Sequence, residues 1–346
     1  MHCRGTVSKT IDTLKFPYAE SIPDALREMA ETPSVRRLRN IGMNCGCEYT
    51  SFPVFRRPGG YHRFEHSLGV ALIVWRFTDD LKQAAAGLLH DIATPVFAHV
   101  IDFVKGDYLN QEATESGTRE CIEADRALMS VLKHGGLDVE DVCDYHRYPV
   151  ADNDSPRLSA DRLEYTLGNI LHFGFDTRET VSEIYQDLTV AVNEEGDPEI
   201  SFTHANTARK FAGLALRCSR LYVSPEDRYA MQRLAEVIRY ALKSGTLTPD
   251  SLYGTEPEVV SRLREDARTA EAWKAFTGLA AVRLTDRPEG CVNPRLIPAK
   301  KRRIDPYVAK QGRVTELFPD FAEELKAFMN ESQQVWICEK GYCFPS

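Results

Sequence analysis

Four polar side chains carry the chemistry this sequence offers most plainly: His66, the adjacent pair His90-Asp91, and Asp161. Two imidazoles and two carboxylates make a suitable ligand set for one divalent ion. Neutral imidazole mixed with carboxylate suits Mn, Fe, Co, Ni or Zn, whereas an all-oxygen set would favour Mg or Ca. Such a set leaves coordination positions open for water and a phosphate oxygen, the arrangement of metal-assisted hydrolysis. Taken singly, each residue has a plainer explanation. A histidine on an apolar helix is usually a satisfied core group, and an acid in a first helical turn answers the helix dipole.

The elements that must bring these residues together are mostly helical. Residues 45–61 contain Pro53, Pro58, Gly59 and Gly60 and read as a loop that delivers Arg63 and His66 to the next helix. His66–Phe77 and Asp79–His90 read as core helices, apolar on more than one face. Pro95 should stop the second of them soon after Asp91, so the pair projects from a rigid helix end. Ser159 is placed to cap the helix that carries Asp161. Upstream, Asp24–Met29 and Ser34–Ile41 form a helical lead-in with Pro33 in a first turn. Residues 111–117, 120–132, 205–222, 225–244 and 256–278 add further helices, the last stretch one or two, with a loop at 147–158. Only 189–192, 199–202, 281–284 and 335–338 hint at strands. The predicted architecture is mainly α, with additional C-terminal helices and a small β element.

The composition fits a water-exposed globular chain of 346 residues. A net charge of -8 argues against long nucleic acid as a partner, because phosphate backbones call for excess Lys and Arg. The longest apolar run, residues 70–75, is far short of a membrane span, and the first residues lack the apolar core of a signal peptide. A cytoplasmic protein without membrane partners is the expectation. The nine cysteines are odd in number and lack zinc-finger spacing, which favours reduced thiols.

Three words contain the four ligands in order: FEHSLGV (64–70), AAGLLHDIATPVFAH (85–99) and SADRLEYT (159–166). This ordered set resembles the HD-domain metal-dependent phosphohydrolases, most closely the branch of the deoxynucleoside triphosphate triphosphohydrolases. The resemblance covers roughly residues 40 to 175. It implies an HD-domain helical bundle over residues 1–180, including the lead-in, and a helical extension over 181–346. It also implies one divalent transition metal on His66, His90, Asp91 and Asp161, and a nucleotide or other small phosphorylated metabolite as substrate. Relatives often assemble, so a homo-oligomer is an expectation as well.

By the same resemblance His99 and Asp102 would orient the attacking oxygen or assist proton transfer, and Arg63 would touch the nucleotide. Arg162 and Tyr165 would contact phosphate and sugar; the guanidinium of Arg162 has the donor fork for phosphate oxygens. Asn169 stands where the family often carries Asp. There are two departures. Thr94 occupies the place of a second histidine, and Gln111-Glu112 stands for a His-Glu pair. Gln does not shuttle protons, so the general-acid role is absent or moves to Glu112 or His99. Two alternatives stay open: a degenerate domain that binds a nucleotide as a regulator, and a di-iron oxygenase drawing on His99, His134 or His146. The densest basic run, residues 300–303, reads as a solvated face or as an anion or allosteric nucleotide contact.

Overall fold

A computed structural model of the chain describes Leu14, residues 16–106 and residues 117–340. The lead-in forms α1 (Asp24–Ala30) and α2 (Pro33–Arg37), the latter with its proline in the first turn and a 3-10 turn at Leu38–Asn40. The bundle proper begins with α3 (Arg63–Thr78) and α4 (Leu81–Leu89). Asp80 caps α4, accepting from the backbone N–H of Lys82 at 2.8 Å. These two helices pack closely, and nearly every residue from Phe64 to Val74 is buried, as an all-round apolar helix requires.

After the turn at 90–98 come α5 (Val100–Lys105), α6 (Thr118–Ala124), α7 (Arg126–His134) and α8 (Val139–Val142). The stretch 120–132, expected as one helix, is broken at Asp125. There the carboxylate caps α7 through the N–H groups of Ala127 and Leu128 and also accepts from Ser34 N–H. Then follow α9 (Ala160–Phe173) and α10 (Arg178–Gln186). Ser159 does cap α9, its hydroxyl accepting from Arg162 N–H at 3.3 Å.

The remainder contains α11 (Ala205–Tyr222), α12 (Pro225–Ser244), α13 (Glu256–Glu265), α14 (Ala270–Thr277), α15 (Val314–Leu317) and α16 (Pro319–Asn330). The stretch 256–278 thus makes two helices. All four hinted strands exist: β1 (Leu188–Val192), β2 (Pro198–Phe202), β3 (Val282–Thr285) and β7 (Trp336–Glu339). Three more were not foreseen: β4 (Val292–Leu296), β5 (Tyr307–Val308) and β6 (Gly312–Arg313). One sheet runs β1-β2-β5-β6 and the other β3-β7-β4. Strands of two residues leave no alternation to read, and β4 carries Asn293 and Pro294 amid mostly exposed positions. No helix among the described residues is long and apolar enough to cross a membrane.

Candidate metal centre

The start of α3 is fixed by its loop. Arg63 N–H donates to Ile41 O at 2.9 Å and Met43 N–H to Tyr61 O at 3.0 Å, while His62 N–H is capped by Glu65 Oε2 at 2.9 Å. His66, one turn in, is buried. His90 follows the last residue of α4, and its ring lies 5.1 Å from that of His66. Asp161 enters from the first turn of α9. The ligand atoms of His66, His90 and Asp161 lie within 4.8 Å of one another. His66 Nε2 is 3.0 Å from Asp161 Oδ1, and His90 Nε2 is 3.8 Å from the same oxygen. Asp91 Oδ2 stands 3.8 Å from His66 Nε2 and 3.6 Å from His90 Nε2.

Both imidazoles are held at Nδ1. His66 Nδ1 lies 2.6 Å from Glu164 Oε2, and His90 Nδ1 lies 2.7 Å from the Gly87 carbonyl. The Gly87 carbonyl can only accept, and Glu164 already accepts from two tyrosine hydroxyls, so each Nδ1 donates and each Nε2 is the ring nitrogen turned toward Asp161; that of His66 carries a proton there, in the place a cation would take. Holding Nδ1 is the usual way an outer partner orients a metal-ligating histidine.

Glu164 was not singled out from the sequence. It is buried and also accepts from Tyr61 Oη at 2.6 Å and Tyr18 Oη at 3.1 Å. Gly69 on α3 makes its approach feasible: a Cβ there would meet the Glu164 side chain at 2.6 Å. The available signal was its position three residues after Asp161, which places both acids on one helix face.

The donor set suits a cation. Asp91, Asp161 and Glu164 converge on two imidazoles, with Arg63 as their guanidinium neighbour. Burial works against a charged His66, but hydrogen bonds to Asp161 and Glu164 outweigh it and push its pKa up to about 10. Burial likewise opposes ionisation of Asp91, yet Arg63, His90 and His66 hold its carboxyl well below the usual range. Arg63 Nη1 donates to Asp91 Oδ2 at 2.7 Å, and Thr94 Oγ1 donates to Asp91 Oδ1 at 2.7 Å. Thr94 therefore orients the aspartate.

His99 Nδ1 lies 3.0 Å from Asp102 Oδ2, and Asp102 is fully buried. Burial lowers the His99 pKa more than Asp102 raises it, and the charges of Arg302 and Arg63 lower it further. The tight turn ahead of it places Phe97 and Ala98 at positive φ, 59° and 44°. Such conformations persist only where surroundings impose them. Here Glu256 accepts from Phe97 N–H at 3.3 Å, and Arg37 holds the carbonyls of Ile92 and Thr94 at 3.0 and 2.7 Å.

The other expected residues are more scattered. Tyr165 lies one turn beyond Asp161, half-buried, with its ring 6.2 Å from that of Tyr222. Asn169 Nδ2 donates to Tyr222 Oη at 2.7 Å. Arg162 is committed to its own loop: Nε donates to Arg157 O at 2.8 Å and Nη2 to Asn153 Oδ1 at 2.6 Å, and Nη1 lies 3.3 Å from Asp152. His134 Nδ1 is bonded to Ser130 O, and His146 Nδ1 to Asp152 Oδ2 at 2.8 Å. Neither belongs to the ligand group found among the described residues. Gln111 and Glu112 lie outside the described residues. A broad surface concavity lined by Phe16, Tyr18, Trp75, Arg76 and Tyr185 holds none of the ligands.

Comparison with known proteins agrees with this geometry. Residues 63–153 match the HD domain model, a segment that holds His66, His90 and Asp91, while Asp161 comes from beyond it. The chain is 26% identical over 246 residues to the uncharacterized protein YdhJ of Bacillus subtilis, covering 70% of this chain and 72% of that protein. It is also 26% identical over 302 residues to a protein of Cordyceps militaris named metal-dependent phosphohydrolase cns2, covering 83% of this chain and 81% of that one. With two oriented imidazoles and two aspartates at its centre, the chain contains an HD domain over residues 63–153 and is similar over most of its length to a protein named metal-dependent phosphohydrolase.

Proposed function

We propose that the protein hydrolyses a phosphate ester or anhydride of a nucleotide or another small phosphorylated metabolite. The observation that carries this reading is the convergence of two Nε2 atoms and two aspartates, with both Nδ1 atoms tied back. A divalent transition ion held by His66, His90, Asp91 and Asp161 would supply Lewis-acid polarisation of a phosphoryl oxygen and acidification of water. Arg63 and Thr94 keep Asp91 aimed at the imidazoles. His99, kept neutral by burial and held at Nδ1 by Asp102, leaves Nε2 to take or return a proton. Tyr165, one turn beyond Asp161, would contact the sugar of a nucleotide, as the resemblance to the triphosphohydrolase branch implies.

The experiment is phosphate release across a panel of nucleoside mono-, di- and triphosphates and small phosphomonoesters, with metal-loaded wild type and His90→Ala. Release from at least one substrate, lost in the variant, is the expected result. Equal release by both proteins would refute the site. A wild type that loads metal yet releases nothing would favour the regulatory reading.

A further inference from the structure

Both backbone segments that lead into the centre are fastened by one short stretch of the extension, residues 252–256. Leu252 O accepts from Val96 N–H at 2.8 Å, and Gly254 O accepts at 3.1 Å from Arg37 Nη1, whose guanidinium also holds Ile92 O and Thr94 O. Glu256, the first residue of α13, is 3% exposed and reaches further. Its Oε1 accepts from Gly42 N–H at 2.9 Å and from Phe97 N–H at 3.3 Å, and its Oε2 accepts from Tyr49 Oη at 3.0 Å. One carboxyl thus joins the approach to α3, the turn ahead of α5 and the extension.

Each of the two N–H groups sits where the site is set. Gly42 forms an antiparallel bridge with His62, flanked by the bonds from Arg63 N–H to Ile41 O and from Met43 N–H to Tyr61 O. It therefore fixes the entry to α3, one turn before His66. Phe97 opens a turn at positive φ, continued by Ala98, and His99 follows directly. A bulky residue keeps that conformation only where its surroundings impose it. The Phe97 ring is held too: it is fully buried, 5.9 Å from the ring of Tyr49 and 6.5 Å from that of Trp273 on α14. Burial raises the Glu256 pKa, and a neutral carboxyl still accepts both N–H groups through its carbonyl oxygen.

We propose that Glu256 is a positioning residue of the hydrolytic site: by holding Gly42 N–H and Phe97 N–H on one oxygen, it fixes His99 relative to the helix that carries His66. The extension is then a working part of the centre, and Glu256 acts through its reach, not through its charge. The inference rests on the phosphohydrolase reading of the same centre, and its test separates the two.

Full-length, metal-loaded wild type, Glu256→Gln, Glu256→Asp, Glu256→Ala and Glu258→Ala would be compared for metal content and for kcat and KM on the best phosphorylated substrate. The His99 signal would be followed in the same proteins carrying isotope-labelled histidine, assigned with His99→Gln. Gln keeps an oxygen at the same reach without the charge, whereas Asp keeps the charge one methylene short. Glu256→Asp and Glu256→Ala should lower kcat about 10- to 100-fold, as a small misplacement of a reacting group does, with KM and metal content little changed and the His99 signal displaced. Glu256→Gln should stay near wild type. So should Glu258→Ala, which removes only the cap on Thr255 of the same helix. If the alanine variant does not fold, Gln and Asp decide. Wild-type kcat in Glu256→Asp, or equal loss in Glu256→Gln or Glu258→Ala, overturns the role of Glu256 and leaves the hydrolase standing. If no protein turns over any substrate, the hydrolase reading fails and the His99 signal decides: displaced by Asp but not by Gln, it upholds the positioning role, and unmoved in both it overturns it.

Discussion

The metal centre and the cluster around Arg313 both take carboxylates out of water, and they resolve the cost in different ways. In the extension, fully buried Glu199 meets Arg313 through two parallel bonds, Nη1 to Oε1 at 2.6 Å and Nη2 to Oε2 at 2.8 Å. Glu194 accepts from the same guanidinium at 2.8 and 3.0 Å. Every charge there has a partner from the chain, and the remaining Glu199 lone pairs take Asn193 Nδ2 and Leu158 N–H. At the metal centre Arg63 answers Asp91 alone, while Asp161 and Glu164 flank His66 and both imidazoles turn Nε2 toward Asp161. One cluster is closed and structural; the other is built to be completed. A third pair, Glu48 and Glu256, has no such cation within it. Burial raises the pKa of both, so this pair favours a proton.

The sharpest way to break the comparison is to remove a ligand. His66→Ala and His90→Ala should each lose the bound ion and phosphate release together while retaining helical circular dichroism. Arg313→Met should do the opposite. Stranding Glu199 in the interior should cost about 3–5 kcal/mol of stability, read from denaturant midpoints, while the metal content of the folded protein stays at the wild-type level. A variant of Arg313 that loses metal without losing stability would erase the distinction between the clusters.

Glu164→Gln probes the outer layer of the centre. The amide still accepts through its oxygen but no longer polarises the imidazole as a carboxylate does. Metal affinity should therefore fall about 10- to 100-fold with the fold intact, measured by competition with a metallochromic chelator. The smallest expected effect concerns the protonated pair. The folded pKa of Glu48 is raised above its ordinary 4.5, so the native state holds a proton that the unfolded chain releases. Stability should therefore fall as pH rises between about 5 and 8, and Glu48→Gln should flatten that slope. Thermal melts at several pH values give the comparison; parallel wild-type and variant curves would rule the effect out.

Much of this centre was legible because its ligands sit in short words with fixed local geometry. His90-Asp91 followed by Pro95 reads as a helix end, and Ser159 before Asp161 reads as a cap; both were found as expected. Glu164 escaped because its role depends on a facing helix, where Gly69 clears its path to His66. The commitment of Arg162 to Asn153 and Arg157 escaped for a related reason. A guanidinium beside a ligand reads as a substrate contact until the loop it braces is seen. The break at Asp125 was the nearest miss: an Asp inside an apolar-periodic stretch signalled a second cap that periodicity alone obscured.

The most direct test of the central claim is the metal stoichiometry of the full-length protein, by mass spectrometry after dialysis against trace-metal-free buffer, beside His66→Ala. The account predicts one transition ion per chain in the wild type and none in the variant. No ion in the wild type, or the same ion content in both proteins, would contradict it.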